Sequence, residues 1–102
     1  MSPSITQLRN QNPDLIPVKC VASKKSQFNP LLKDQFLVPK ETRLGVFAME
    51  IRKRLKITSQ TSIVFFINNE IPPVSKTFDE LDQQYSKDGL LTLVYAGENV
   101  FG

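Results

Sequence analysis

The chain has 102 residues, 40% of them hydrophobic and 23% charged, with a formal net charge of +3 from 13 basic and 10 acidic side chains. Such a length suits one domain with one modest core, burying roughly 60–65% of the surface an unfolded chain exposes. Histidine is absent and Cys20 is the single cysteine. That removes the commonest general base and rules out a Cys/His zinc site, a Cys–His nucleophilic pair and an internal disulfide. The expectation is a protein of a reducing compartment with no intrinsic enzymatic activity, no metal and no cofactor. No apolar run approaches the ~18 residues needed to cross a bilayer. Met1-Ser2-Pro3-Ser4 also lacks the basic and apolar regions of a secretory signal. A cytoplasmic location is therefore expected, with membrane contact only through a modification or a partner.

Residues 1–14 read as a short polar extension in which Ile5 and Leu8 allow at most one helical turn, residues 6–10, before Pro13 stops it. Residues 15–22 alternate as a first strand, with Ile16, Val18 and Cys20 on one face; Pro17 argues for a sheet edge, because it cannot donate to a ladder. A polar loop with Lys24 and Lys25 leads to a second short strand at Phe36-Leu37-Val38-Pro39. Thr42 is a candidate N-cap for the main helix, residues 43–55, whose apolar stripe is Leu44, Phe47, Ile51 and Leu55. Arg52, Lys53 and Arg54 fall near its C-terminus, where the helix dipole favours positive charge; a solvated helix end is the bland reading of that run.

Residues 62–68 hold a nearly unbroken apolar run, Ile63 to Ile67, which suits a central strand with Phe65, Phe66 and Ile67 in the core. Asn68-Asn69 supplies a turn. Thr77 and Glu80 form a capping box that opens a short helix, residues 78–85. Asp88-Gly89 turns the chain into a last strand, residues 90–95, and residues 96–102 lack periodicity and read as a flexible tail. Strand, strand, helix, strand, short helix, strand describes an α+β domain of β-grasp, ubiquitin-like pattern, with a four-stranded sheet over residues 15–95.

Several stretches resemble the ubiquitin-like autophagy modifier family, in particular its GABARAP-like, phosphatidylethanolamine-conjugated group. They are Pro13-Asp14-x-Ile16-Pro17-Val18, Phe36-Leu37-Val38-Pro39, Gly45-x-Phe47 and Ile51-Arg52-Lys53-Arg54. Phe65-Phe66-Ile67-Asn68-Asn69-x-Ile71-Pro72-Pro73 and Val94-Tyr95-x-x-Glu98-x-Val100-Phe101-Gly102 complete the match. The resemblance implies conjugation of the Gly102 carboxylate, through activating and conjugating enzymes, to the amine of phosphatidylethanolamine. It also implies residence on autophagosome membranes and recruitment of receptors carrying an aromatic-x-x-aliphatic motif, the unconjugated protein being monomeric. A glycine suits the acyl donor because the missing Cβ lets an enzyme backbone approach closely.

By position in the family pattern, Leu8, Pro17, Lys19, Leu37 and Leu90 would line the pocket for the aromatic residue. Phe36, Val38, Pro39, Phe47 and Ile51 would line the pocket for the aliphatic one. Lys33 and Arg54 would attract the acidic residues that flank such motifs. The physical basis is strand addition to an exposed edge, and plain core is the competing reading for Phe47 and Ile51. Lys19 and Glu50 stand where the family has apolar residues, and Gln35 where it has a basic one, so an altered motif preference is expected. Cys20 reads as a small buried hydrophobe. Two alternatives remain. One is the sibling autophagy modifier joined to a protein lysine, suggested by Asp88-Gly89 and the aromatic-glycine ending. The other is an unconjugated β-grasp module, or a nucleic-acid binder using Lys24, Lys25, Arg52, Lys53, Arg54 and Lys56; nucleic-acid binding is not expected, because the aromatics fall in the apolar periodicities.

Overall fold

A computed structural model describes residues 4–24, 31, 33–57 and 62–97. The elements in chain order are α1 (Ile5–Gln11), β1 (Leu15–Ala22), β2 (Gln35–Pro39), α2 (Leu44–Leu55), β3 (Ile63–Phe66), α3 (Phe78–Tyr85) and β4 (Leu91–Gly97). The strands form one mixed sheet in the order β2-β1-β4-β3, with β1 parallel to β4 and the outer pairs antiparallel. This is the β-grasp arrangement expected from the sequence.

The sheet places Pro17 in a central strand, against the expectation of an edge. The reason is local. Cys20 N–H donates to the Asp34 carbonyl and Lys40 N–H to the Asp14 carbonyl. Even-numbered residues of β1 therefore face β2, and odd-numbered ones face β4. The β4 ladder begins only at Val18, so the donor Pro17 lacks points to a place where no strand partner has yet begun. β3 departs in the opposite sense: its apolar run occupies an edge, not the centre. Phe65 and Ile67 are core, but Phe66 is half-buried on the other face, opposite Val94.

α1 is two turns long, because Ser4 and Gln7 form a capping box that extends it by one residue at its start. At the start of α2, the cap position falls on Arg43, with no side-chain cap. Thr42 instead offers its carbonyl to Phe78 N–H, while Leu44 and Gly45 N–H donate to the Lys76 and Val74 carbonyls. Backbone from the loop before α3 thus satisfies donors a side chain would otherwise cap. α3 and its Thr77–Glu80 capping box match the sequence reading. So does the Asn68-Asn69 turn, where both residues are left-handed (φ 52° and 67°) and the Ile67 and Glu70 backbones bond reciprocally. β4 extends through Ala96 and Gly97, which face Val64 and Ile63, so two residues expected in the tail are strand.

The core lies between the sheet and α2 and α3: Ile16, Val18, Cys20, Leu91, Leu93 and Tyr95 from the sheet meet Leu44, Phe47, Ile51, Phe78 and Leu81. Phe47 sits at its centre, with ring centroids 5.1 Å from Phe78 and 5.4 Å from Phe36, both edge-to-face.

Candidate functional site

β2 pairs with β1 on one side and leaves its other side free. Since Phe36 and Val38 stand opposite Val18 and Ile16 in the hydrogen-bonded register, Leu37 between them turns its N–H and C=O to the free side. Pro39 has no N–H and closes that edge. The strand therefore offers a short run of open backbone groups, the requirement for adding an extended peptide.

A groove lies on either side of it. The first, about 570 Å³, is lined by Leu8, Pro17, Leu37 and Leu90 of the predicted aromatic pocket, and by Ile5, Val18, Lys33, Gln35 and Phe36. Lys19 is not part of its wall: it stands opposite Gln35, one residue beyond Val18, and is half-buried. The second groove, about 400 Å³, is lined by Phe36, Val38, Pro39 and Phe47 of the predicted aliphatic pocket. Ile51 is absent from it because its side chain is wholly buried, at 0% exposure, in the core behind Phe47. Its apolar wall is completed by Val46 and Met49, which are 59% and 60% exposed, with Thr42, Glu50 and Lys53 at the rim. Val46, Met49 and Lys53 follow one another at helical spacing beside the buried stripe, a pattern that could have revealed them. Phe36 and Leu37 line both grooves and form the ridge between them.

Two cations stand over that ridge. Lys33 Nζ lies 5.5 Å from the Phe36 ring centroid and the Arg54 guanidinium carbon 5.2 Å from it. Both predicted flanking cations thus gather at the junction of the grooves. Arg54 also meets Glu50 at 3.5 Å, one helical turn back.

α1 supplies a wall of the first groove, and one residue holds it there. Arg9 makes a two-pronged contact with Asp82 of α3, at 2.6 and 3.1 Å, and donates from Nε to the Gly89 carbonyl at 2.8 Å. Gly89 adopts φ +80°, and a Cβ there would lie 2.8 Å from Ile5 Cγ2, so only glycine admits both the turn and the close approach of α1. Ile5, Leu8 and Leu90 line the same groove. The sequence offered no pattern for this clamp, since Arg9 and Asp82 lie 73 residues apart.

Cys20 is buried, and its thiol is pushed up to about 12, first by burial and then by the neighbouring Asp34 charge, so it stays protonated at neutral pH. Among the described residues no three metal-ligating side chains cluster, and no helix is long and apolar enough to cross a membrane. Gly102, the predicted conjugation residue, lies outside the described residues.

Comparison with known proteins agrees with this fold. Residues 3–102 match the family described as "Autophagy protein Atg8 ubiquitin like". The chain is 36% identical over 97 residues to Autophagy-related protein 8 of Schizosaccharomyces pombe, covering 94% of this chain and 80% of the relative. It is 34% identical over 97 residues to Autophagy-related protein 8e of Arabidopsis thaliana, with the same two coverages. The crystal structure of Trypanosoma brucei ATG8 superposes with a TM-score of 0.85 at 25% identity, covering 96% of this chain and 91% of that one. The chain belongs to the Atg8 family of ubiquitin-like autophagy proteins.

Proposed function

We propose that this protein is a lipid-conjugated modifier. The Gly102 carboxylate is activated, passed between enzyme cysteines and joined to the amine of phosphatidylethanolamine on autophagosomal membranes. Residues 98–102, which follow β4 in the sequence, carry the conjugation site. Two acyl chains, at ~0.8 kcal/mol for each buried CH₂, convert a chain with no apolar spanning helix among its described residues into a stably anchored one. Once anchored, it collects receptors through a short aromatic-x-x-aliphatic segment laid along β2. The modifier itself catalyses nothing; the activating and conjugating enzymes do.

The observation that carries this reading is the pair of apolar grooves sharing the Phe36–Leu37 ridge beside the open backbone edge of β2. An extended peptide projects residues three apart about 10 Å along its axis, so one ridge between two pockets suits that spacing. Family membership supports the conjugation half of the reading.

Two measurements test the two halves separately. Incubation with activating and conjugating enzymes and phosphatidylethanolamine liposomes should give a lipid adduct that the Gly102→Ala variant forms far less readily. An adduct on protein lysines and never on lipid would instead identify the protein-conjugated sibling. Calorimetric titration with an aromatic-x-x-aliphatic peptide should show 1:1 binding, weakened about tenfold or more by Leu37→Asp, which charges the shared ridge. Equal binding by the variant would remove the groove from the mechanism.

A further inference from the structure

The net charge of +3 is distributed unevenly along the molecule. With β1 parallel to β4 and the outer strands antiparallel, one end of the sheet gathers the close of β1, the start of β2, the start of β3 and the close of β4. Ser23 N–H donates to the Tyr95 carbonyl there, and Ile63 faces Gly97. α2 begins at the other end, where its first N–H groups bond the loop before α3, and finishes at this one. Among the described residues, this end and the second half of α2 carry Lys24, Lys33, Arg52, Lys53, Arg54 and Lys56 against two carboxylates, Asp34 and Glu50. At the opposite end seven carboxylates, among them Asp14, Glu41, Glu70 and Asp82, outnumber five cations, Lys19 lying between the two ends within β1. The positive pole is the end from which residues 98–102 leave β4.

Lys33 and Arg54 are engaged with Phe36 at the peptide grooves. Arg52, Lys53 and Lys56 line, with Met49 and Ile57, a further depression of about 300 Å³, which shares Met49 and Lys53 with the second groove. Lys24, at the close of β1, is exposed at the same end. We propose that this pole, Lys24 with Arg52, Lys53, Lys56, Met49 and Ile57, is a docking surface for an anionic lipid bilayer. The inference rests on the proposed attachment of Gly102 to a phospholipid. Five residues reach at most about 18 Å, so the attachment holds the pole within about two Debye lengths of the headgroups at physiological salt. Lysines near an anionic surface each add to binding, and a lipid anchor combined with a basic patch holds more firmly than the anchor alone. The acidic end then faces away from the membrane, which fixes how the molecule stands on it.

The test uses the full unconjugated chain, so that it does not depend on the conjugation step. Flotation with phosphatidylcholine vesicles that do or do not carry phosphatidylserine is measured at about 0.01 M salt, where charges act over ~30 Å. Binding should require phosphatidylserine and fall by about a hundredfold in a Lys24→Gln, Lys53→Gln, Lys56→Gln variant. A Lys40→Gln, Lys76→Gln, Lys87→Gln variant, which removes the same charge from the other end, should keep most of the binding. Equal loss in both variants, or binding indifferent to phosphatidylserine, overturns the proposal while leaving lipid conjugation untouched. Failure of the Gly102 experiment alongside intact, pole-dependent flotation overturns the conjugation reading but not the surface.

Discussion

Phe36 carries more of the candidate site than any other side chain, because it belongs to both grooves, leans edge-on against Phe47 and lies under two cations. One of those cations is already engaged: Arg54 meets Glu50, an exposed pair one helical turn apart. A partner carboxylate that reaches Arg54 must share its charge with Glu50, so Glu50 works against any preference for acidic flanks. Such pairs are worth about 0.3–0.5 kcal/mol. Glu50→Gln should therefore tighten an acid-flanked peptide by about twofold and leave a neutral-flanked one unchanged, as read by parallel calorimetric titrations. Equal effects on both peptides would mean that Glu50 acts by shaping the pocket and not through Arg54. At this scale the residues named from the sequence, Phe36, Leu37, Lys33 and Arg54, stand together beside the β2 edge, on or next to a strand and a helix whose periods are plain. Lys19 and Ile51 lie outside the walls of the two grooves, because whether a residue lines a groove or passes just behind it depends on packing against elements distant in sequence.

Among the elements, those whose limits are set by neighbours along the chain were the most legible. α3 has a capping box; α2 was legible by its apolar stripe at helical spacing, although its first donors are met by the loop before α3. The strands were legible as strands but not in their order: an edge-like proline lies in the centre, and a core-like run lies at the edge. Both depend on where the partner strand begins and ends, which local sequence does not encode. α1 is the clearest case of dependence on tertiary contact. Seven residues are too few for a helix to stand alone in water, and Arg9 ties this one to Asp82 and Gly89. Arg9→Ala should cost about 1.5–3 kcal/mol of local stability, the range for hydrogen bonds to charged groups. Amide exchange should quicken in α1 and stay slow in β1 and β4. Peptide binding should weaken through the groove that Ile5 and Leu8 line, even though Arg9 is not in its wall. Unchanged exchange in α1 would show that apolar contact alone holds it.

For the whole molecule, stability should form a plateau against pH bounded by different groups on its two sides. On the acid side, Glu80 closes the α3 capping box, and its hydrogen bonds from Thr77 hold its carboxyl below the usual 4.5. That contribution is complete above pH 4.5 and lost as pH falls through the lower folded value. On the alkaline side, burial raises Cys20 from 9.0 to about 12, with Asp34 adding to the shift. Burial also raises Tyr95 above 10.0, with Cys20 nearby contributing. A group harder to ionise when folded stabilises fully below its unfolded pKa, so the Cys20 contribution is intact below pH 9 and declines from there toward 12, followed by that of Tyr95. One such group steepens the decline by up to about 1.4 kcal/mol per pH unit. Denaturant midpoints measured across this range should be flat from about pH 5 to 9 and fall on either side. Cys20→Ala lowers the plateau by opening space in the core, yet it should fall less steeply above pH 9 than the parent, since only Tyr95 then remains to be ionised among these two. Parallel alkaline limbs in parent and variant would show that the thiol is already ionisable in the fold, and that the closed core between the sheet and the two helices opens more readily than its packing implies.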